Sequence, residues 1–327
     1  MPKEITHFTI AQQVTRNLPG TSKFFQPIQK CPFVFLMGSV CPDSPFYYLS
    51  GPQKQQIRAL ADPFHRPDKE ALVPLLKFLN HHRSPAALAL AAGCVCHIMS
   101  DTTLHPLVYY YAGMKGLHTG ATDRHRYFET AMDLHFQYLF HGKTRLYEVA
   151  RQATRSEPEL YELLNDLFLP QLPQTTFLKH AVQGHATVHA LLGASVIRKG
   201  TIMMAGTSHP LPESVTSLIY PFGKPCFLSF FSGRLTYRHP CSGSYISTDL
   251  LTLIHQAATA TIAVLDAIER AMTECEETGN GNQLESLVPA DTALPDISPD
   301  LPVKTFGAWY GQQDIKPLLY QGTTMPF

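Results

Sequence analysis

The sequence predicts an all-α protein, with a single multi-helix domain over residues 1–275 and a Pro/Gly-rich irregular tail over 276–327. Three observations lead there. Strand-type alternation of apolar and polar residues is scarce. Several long segments repeat their apolar residues at helical spacing. From Glu276 onward Pro, Gly, Asp and Thr dominate.

Taken in order, His7 to Leu18 reads as an amphipathic helix stopped by Pro19-Gly20. CPFVFLMGSVCPDSPFYYLSGP (31–52) predicts a short helix entering a loop around Asp43, and 52–62 a polar connection. Pro67 to His82 has helical spacing, and Ser84-Pro85 caps the next helix, expected to run to about Leu104 with Pro106 just past its end. After a Gly-containing loop (112–122), a helix is expected from Thr122 or Asp123 to about Phe140. Two more are expected at 144–168 and 175–199, then a loop-rich stretch with one or two short helices (200–243), then an Ala-rich helix from Ser247 to Cys275.

Bulk properties narrow the function. Hydrophobic residues make up 44% of the 327 and charged residues 16%, as in a globular protein with large buried helices. Lys plus Arg (26) balances Asp plus Glu (26), so nothing advertises a polyanionic partner, and nucleic acid enters only as a substrate. The opening MPKEITHFTIAQQV has no apolar stretch of signal-peptide type, and no run of about 18 apolar residues reads as a membrane span. A cytoplasmic protein without stable membrane insertion is therefore expected. The seven Cys, odd in number and irregularly spaced, read as buried thiols rather than a disulfide framework.

Histidine is the outlier, with 16 in the chain and ten within the first 141 residues. HIMSDTTLHP places His97, Asp101 and His105 at i, i+4 and i+8, on one face of a helix whose lead-in, LALAAGCVC, is almost wholly apolar. DRHRYFETAMD adds His125 and Glu129, again i and i+4. Alone, each pair is more often an ordinary ion pair. Together, beside an apolar helix where an unpaired carboxylate is expensive, they read as ligands for a cation, and the mix of imidazole and carboxylate suits zinc. Other His read differently: His81 and His82 as solvated, His135 and His141 as surface or helix-end residues, His185 and His189 as helix surface or satisfied core. There is no HExxH, no His-Asp dipeptide, a single Glu-x-x-His (Glu4 to His7) and no phosphate-binding Gly-rich loop.

These residues resemble the zinc-dependent phospholipase C family, related in fold to the single-strand-specific zinc nucleases. The matching stretches are EITHFTIA with His7, GSVCPDSPFY with Asp43, FHRPD with His65, HIMSDTTLHP with His97, Asp101 and His105, and HRYFE with His125 and Glu129, in the family's order. The resemblance is clear over 1–141 and vaguer to about 275. It implies a helical phospholipase C-like domain binding two or three zinc ions: His65 and His97 with a bridging Asp101, then His105, His125 and Glu129, then His7 with Asp101. It implies Asp43 beside the activated water, as general base or orienting group, and a phospholipid or other phosphodiester as substrate. In secreted members an N-terminal Trp also binds the third zinc, whereas the single Trp here is Trp309. The interval from His105 to His125 is long for the family and leaves His118 as a substitute ligand. An aromatic rim (Phe46, Tyr47, Tyr48 and Tyr109 to Tyr111) reads either as packing between helices or as contact for lipid chains or nucleobases. The expected activity is metal-assisted phosphodiester hydrolysis. A nuclease-like phosphodiesterase and a catalytically inert zinc-binding interaction domain are the alternatives.

Overall fold

The computed structural model describes residues 4–48, 50–51, 53–66, 68–113, 121–140, 144–168, 176–194, 230–239, 242–278 and 284–288. His118, His141, Trp309 and nearly all of the expected tail lie outside the described residues. The helices are α1 (Glu4–Asn17), α2 (Phe25–Lys30), α3 (Pro32–Gly38), α4 (Lys54–Ala59), α5 (Val73–His81), α6 (Pro85–Ala112), α7 (Ala121–Phe140), α8 (Leu146–Ser156), α9 (Leu160–Phe168) and α10 (Phe177–Gly193). An antiparallel hairpin, β1 (Leu235–Arg238) and β2 (Tyr245–Thr248), precedes the long α11 (Leu250–Thr278) and the short α12 (Leu284–Leu287). Short 3-10 turns at Cys41–Tyr47, Asp62–His65 and Asp68–Leu72 complete it. The all-α expectation holds, with one two-stranded ribbon added.

The 28-residue α6 is the axis of the molecule, flanked by α1, α2, α3, α5, α7, α11 and β1. Being surrounded, it is apolar nearly all round, as a buried helix must be. Ser84 caps it by accepting from the Ala87 N–H at 3.2 Å. By length and composition α6 and α11 could each cross a membrane, contrary to the reading of the sequence. Of their apolar windows 83% and 50% are buried inside the protein, so packing uses much of that surface.

The helix expected to stop before Pro106 continues through it to Ala112. A mid-helix proline costs about 3 kcal/mol. Continuing buries Leu107, Val108 and Tyr111, each worth about 1.5–3 kcal/mol, so burial wins. Other boundaries differ too: the polar connection expected over 52–62 holds α4, and the helix expected from Pro67 begins at Val73. The segment 144–168 divides into α8 and α9, and the expected helix start at Ser247 lies in β2, with Asp249 capping α11 through the Thr252 N–H at 2.8 Å.

Two contacts fix the elements that matter below. Gly38 on α3 and Gly93 on α6 meet backbone to backbone, since a Cβ on Gly93 would stand 2.7 Å from Gly38 Cα. Only glycine permits that approach, and it brings the chain after α3 against the middle of α6. At the other side, buried Asp133 of α7 caps the start of α1, accepting from the Thr6 N–H at 2.8 Å, the Thr6 hydroxyl at 2.6 Å and the Ile5 N–H at 3.2 Å. Past residue 276, Leu284 and Val288 join the core, and the Asn80 amide ties α12 to α5 through Glu285.

Candidate metal centre

The middle of α6 presents His97, Asp101 and His105 along one stripe, and three other elements converge on it. His7 of α1 places Nε2 at 3.5 Å from Asp101 Oδ1. Around Asp101 Oδ2 stand the Nε2 atoms of His65 (3.7 Å), His97 (3.6 Å) and His105 (3.9 Å). Asp43, on the turn after α3, places Oδ1 at 3.1 Å from His65 Nε2 and 3.7 Å from His97 Nε2. On α7, His125 Nε2 lies 2.7 Å from Glu129 Oε1. Among the described residues three sets could each hold an ion, with ligating atoms within 4.8 Å of one another: His7, Asp43 and His97; His65, His97 and Asp101; His105, His125 and Glu129.

The orientation of the imidazoles is set from behind. His97 Nδ1 lies 3.1 Å from the Ser39 carbonyl and His65 Nδ1 2.8 Å from the Ala61 carbonyl. A carbonyl only accepts, so Nδ1 of each carries the proton and Nε2 faces the centre. Backbone-anchored imidazoles of this kind are the usual support of metal-ligating His.

Charge is the difficulty here. Burial opposes the charge on Asp43, but the His97 ring and the hydrogen bond from His65 outweigh it and hold the carboxyl well below the usual range. Burial would lower His65, yet its bond to Asp43 and that carboxylate's charge lift it to about 9. Asp101 is pushed up to about 8, by burial and then by the charge of Asp43. Burial brings His97 down to about 4 and holds His7 and His105 well below 6.5. Without a cation, the centre therefore keeps protons on His65 and Asp101 at neutral pH and leaves the other rings neutral.

The residues fit a zinc centre on their own geometry. Two ligands about 2.1 Å from one ion and a tetrahedral angle apart are separated by about 3.4 Å, close to the spacings around Asp101. Both carboxylate oxygens of Asp101, both nitrogens of His7 and Nε2 of His105 are buried with no hydrogen-bond partner among the described residues. Buried polar atoms are rarely left so, and an ion shared among them would satisfy them together.

The structure thus brings together all eight residues singled out in the sequence. Elsewhere the reading holds in part. His135, expected at the surface, is buried against Phe136 and Phe231. His82 is only half-exposed, stacked on Phe78 and 3.4 Å from Asp166. His185 and His189 lie in the core, one of the two placements expected for them, and bond to Ser44 and Tyr47. Of the aromatic rim, Tyr48 and Tyr111 are packed inside, Phe46 tilts over His65, and Tyr109 packs against His105 and His125.

Three neighbouring sets of imidazole and carboxylate, each able to hold a cation, make a candidate polynuclear metal site. Residues 6–174, more than half of the chain, match the family described as zinc dependent phospholipase C, and the chain belongs to that family. No curated protein and no solved structure matches it. Family membership and the buried clusters together point to a metal-dependent phosphoesterase. All eight residues lie inside the matched segment; Glu4, His185 and His189 lie outside it.

Proposed function

We propose that this protein is a zinc-dependent phosphodiesterase that cleaves phospholipid in the phospholipase C manner, releasing diacylglycerol and a phosphorylated head group. The observation that carries the reading is Asp101, a buried carboxylate ringed by four imidazoles at 3.5–3.9 Å, at the junction of the cation sets. His65, His97 and Asp101 would hold one ion, His105, His125 and Glu129 a second, and His7 with Asp101 and Asp43 a third. Bound zinc supplies Lewis-acid activation of water at neutral pH and cancels phosphodiester charge.

The chain's own groups do the rest. Asp43 lies beside His65 and His97, where its carboxylate can orient an attacking water and accept its proton. The water oxygen bonds to phosphorus, the bond from phosphorus to the glycerol oxygen breaks, and that oxygen takes up the proton that Asp43 received from the water. Phe46, half-buried and tilted over His65, is the aromatic side chain that would meet a lipid or a base at the centre.

The test is zinc content of the purified protein by mass spectrometry, followed by turnover of phosphatidylcholine, p-nitrophenyl phosphate esters and single-stranded DNA. Two or three zinc ions per chain with diacylglycerol release is the expected result. Cleavage of DNA alone selects the nuclease reading, zinc without turnover an inert binding domain, and absence of zinc overturns the metal centre. Asp43→Asn is expected to lower turnover about 100-fold or more while at least two ions are retained. Unchanged turnover removes Asp43 from catalysis.

A further inference from the structure

A second buried polar network borders the metal centre and belongs to none of the three cation sets. His185 Nδ1, on α10, lies 3.0 Å from Ser44 Oγ, the residue next to Asp43. One helical turn on, His189 Nε2 lies 2.9 Å from the Tyr47 hydroxyl, and the Tyr47 ring stacks on His185 with centroids 3.9 Å apart. His189 Nδ1 in turn meets the carboxylate of Glu4, on α1 one turn before His7. His189 Nε2 and the Tyr47 hydroxyl share one hydrogen bond, in which either atom can be the donor. The backbones touch as well, because a Cβ on Gly184 would stand 2.6 Å from the Tyr47 carbonyl oxygen.

The sides of this arrangement differ in what they touch. The Cys41–Tyr47 turn is held at Ser44 and Tyr47 by α10, while Asp43, the residue before Ser44, faces His65 and His97. Glu4 binds the same network to the helix that carries His7. An apolar contact would join these helices without the cost of burying polar groups, whereas hydrogen bonds fix direction. Direction is what a carboxylate aimed at imidazole nitrogens requires.

We infer that Glu4, Ser44, Tyr47, His185 and His189 form a positioning clamp that sets the Asp43 carboxylate and His7 in common register for the ion these two would share. The inference rests on the zinc reading above, and it assigns to α10, beyond the family match, a part in building the centre.

The test uses the full chain and two measurements. Zinc is titrated against a chromophoric chelator for the parent, His185→Leu, His185→Asn, Ser44→Ala and Gly184→Ala, and hydrogen exchange is followed over residues 41–48 in the metal-free proteins. Leu removes the polar atom that Asn keeps at the δ position. His185→Leu and Ser44→Ala are expected to weaken one zinc about 10–100-fold and spare the ion at His105, His125 and Glu129, with His185→Asn recovering most of the loss. Gly184→Ala displaces α10 without changing a polar group and is expected to produce the same selective loss. Exchange over 41–48 should rise in His185→Leu. Equal weakening of all ions in step with melting temperature, or no weakening, overturns the clamp. A parent that binds no zinc overturns the metal reading instead, and unchanged exchange in His185→Leu then overturns the clamp separately.

Discussion

Both carboxylate oxygens of Asp101 face imidazole nitrogens, and in the metal-free protein its carboxyl is pushed up to about 8 by burial and by Asp43. That value exceeds the roughly 3.9 of an unfolded Asp, so the folded chain holds the extra proton and the contribution of Asp101 to stability falls as pH rises from about 4 to about 8. Metal-free Asp101→Asn should therefore melt a few degrees above the metal-free parent at pH 8 and level with it near pH 4. With zinc in excess the order should reverse. Thermal melts at both pH values decide it, and a difference that does not move with pH removes Asp101 from the electrostatics of the centre. Glu129→Gln should weaken one zinc about 100-fold or more and leave the other sets loaded, as chelator competition would read. At this scale the sequence is legible where partners share a helix. His97, Asp101 and His105 could be grouped by spacing alone, as could His125 and Glu129. Glu4 could not be grouped with His189, nor Ser44 with His185, because each pair joins elements more than a hundred residues apart.

The contact between α3 and α6 is where packing controls the site. Ser39, just after α3, supplies the carbonyl that orients His97, and Asp43 follows on the same stretch. Gly93→Ala puts a Cβ 2.7 Å from Gly38 Cα and must push the helices apart. The cost should be about 1–3 kcal/mol of stability. Zinc at the His97 sets should weaken with it, and denaturant melts alongside metal titration would show whether the two losses occur together. A Gly93→Ala protein as stable as its parent would mean that the crossing is not tight. The sequence carried both glycines without marking them as a pair, since a close approach is visible only once the helices cross. Helix extents were legible in the same limited way. The apolar period located α6 and α11, but the end of α6 was decided by what Leu107, Val108 and Tyr111 bury against, which outweighs the local signal of Pro106. The β1–β2 hairpin escaped notice because strands of four residues are too short for alternation to register.

For the whole molecule, the core and the centre respond to different variables. The core packed around α6 is large and apolar, so removing metal should leave the protein helical. What changes is the pH dependence of its stability. Without zinc, His7, His97, His105 and His185 are held below the roughly 6.5 of an unfolded imidazole, His97 near 4 and His185 near 3, all chiefly by burial. Below pH 6.5 the unfolded chain binds more protons at these four sites than the folded chain gains at Asp101, so stability drops as pH falls toward about 4. Above pH 6.5 those rings are neutral in both states, and the raised groups take over. Stability is then lost as pH climbs through about 8 for Asp101 and about 9 for His65. The metal-free melting temperature should accordingly peak near pH 6.5 and decline on both sides. Zinc displaces the protons of the centre, so its binding strengthens with pH and should remove the decline on the alkaline side. At a thousandfold excess over its dissociation constant each ion adds about 4 kcal/mol. Calorimetry with and without chelator should show a gap that is wide at pH 8 and closes toward pH 5. Superimposed profiles at pH 8 would mean that no cation occupies the space around Asp101.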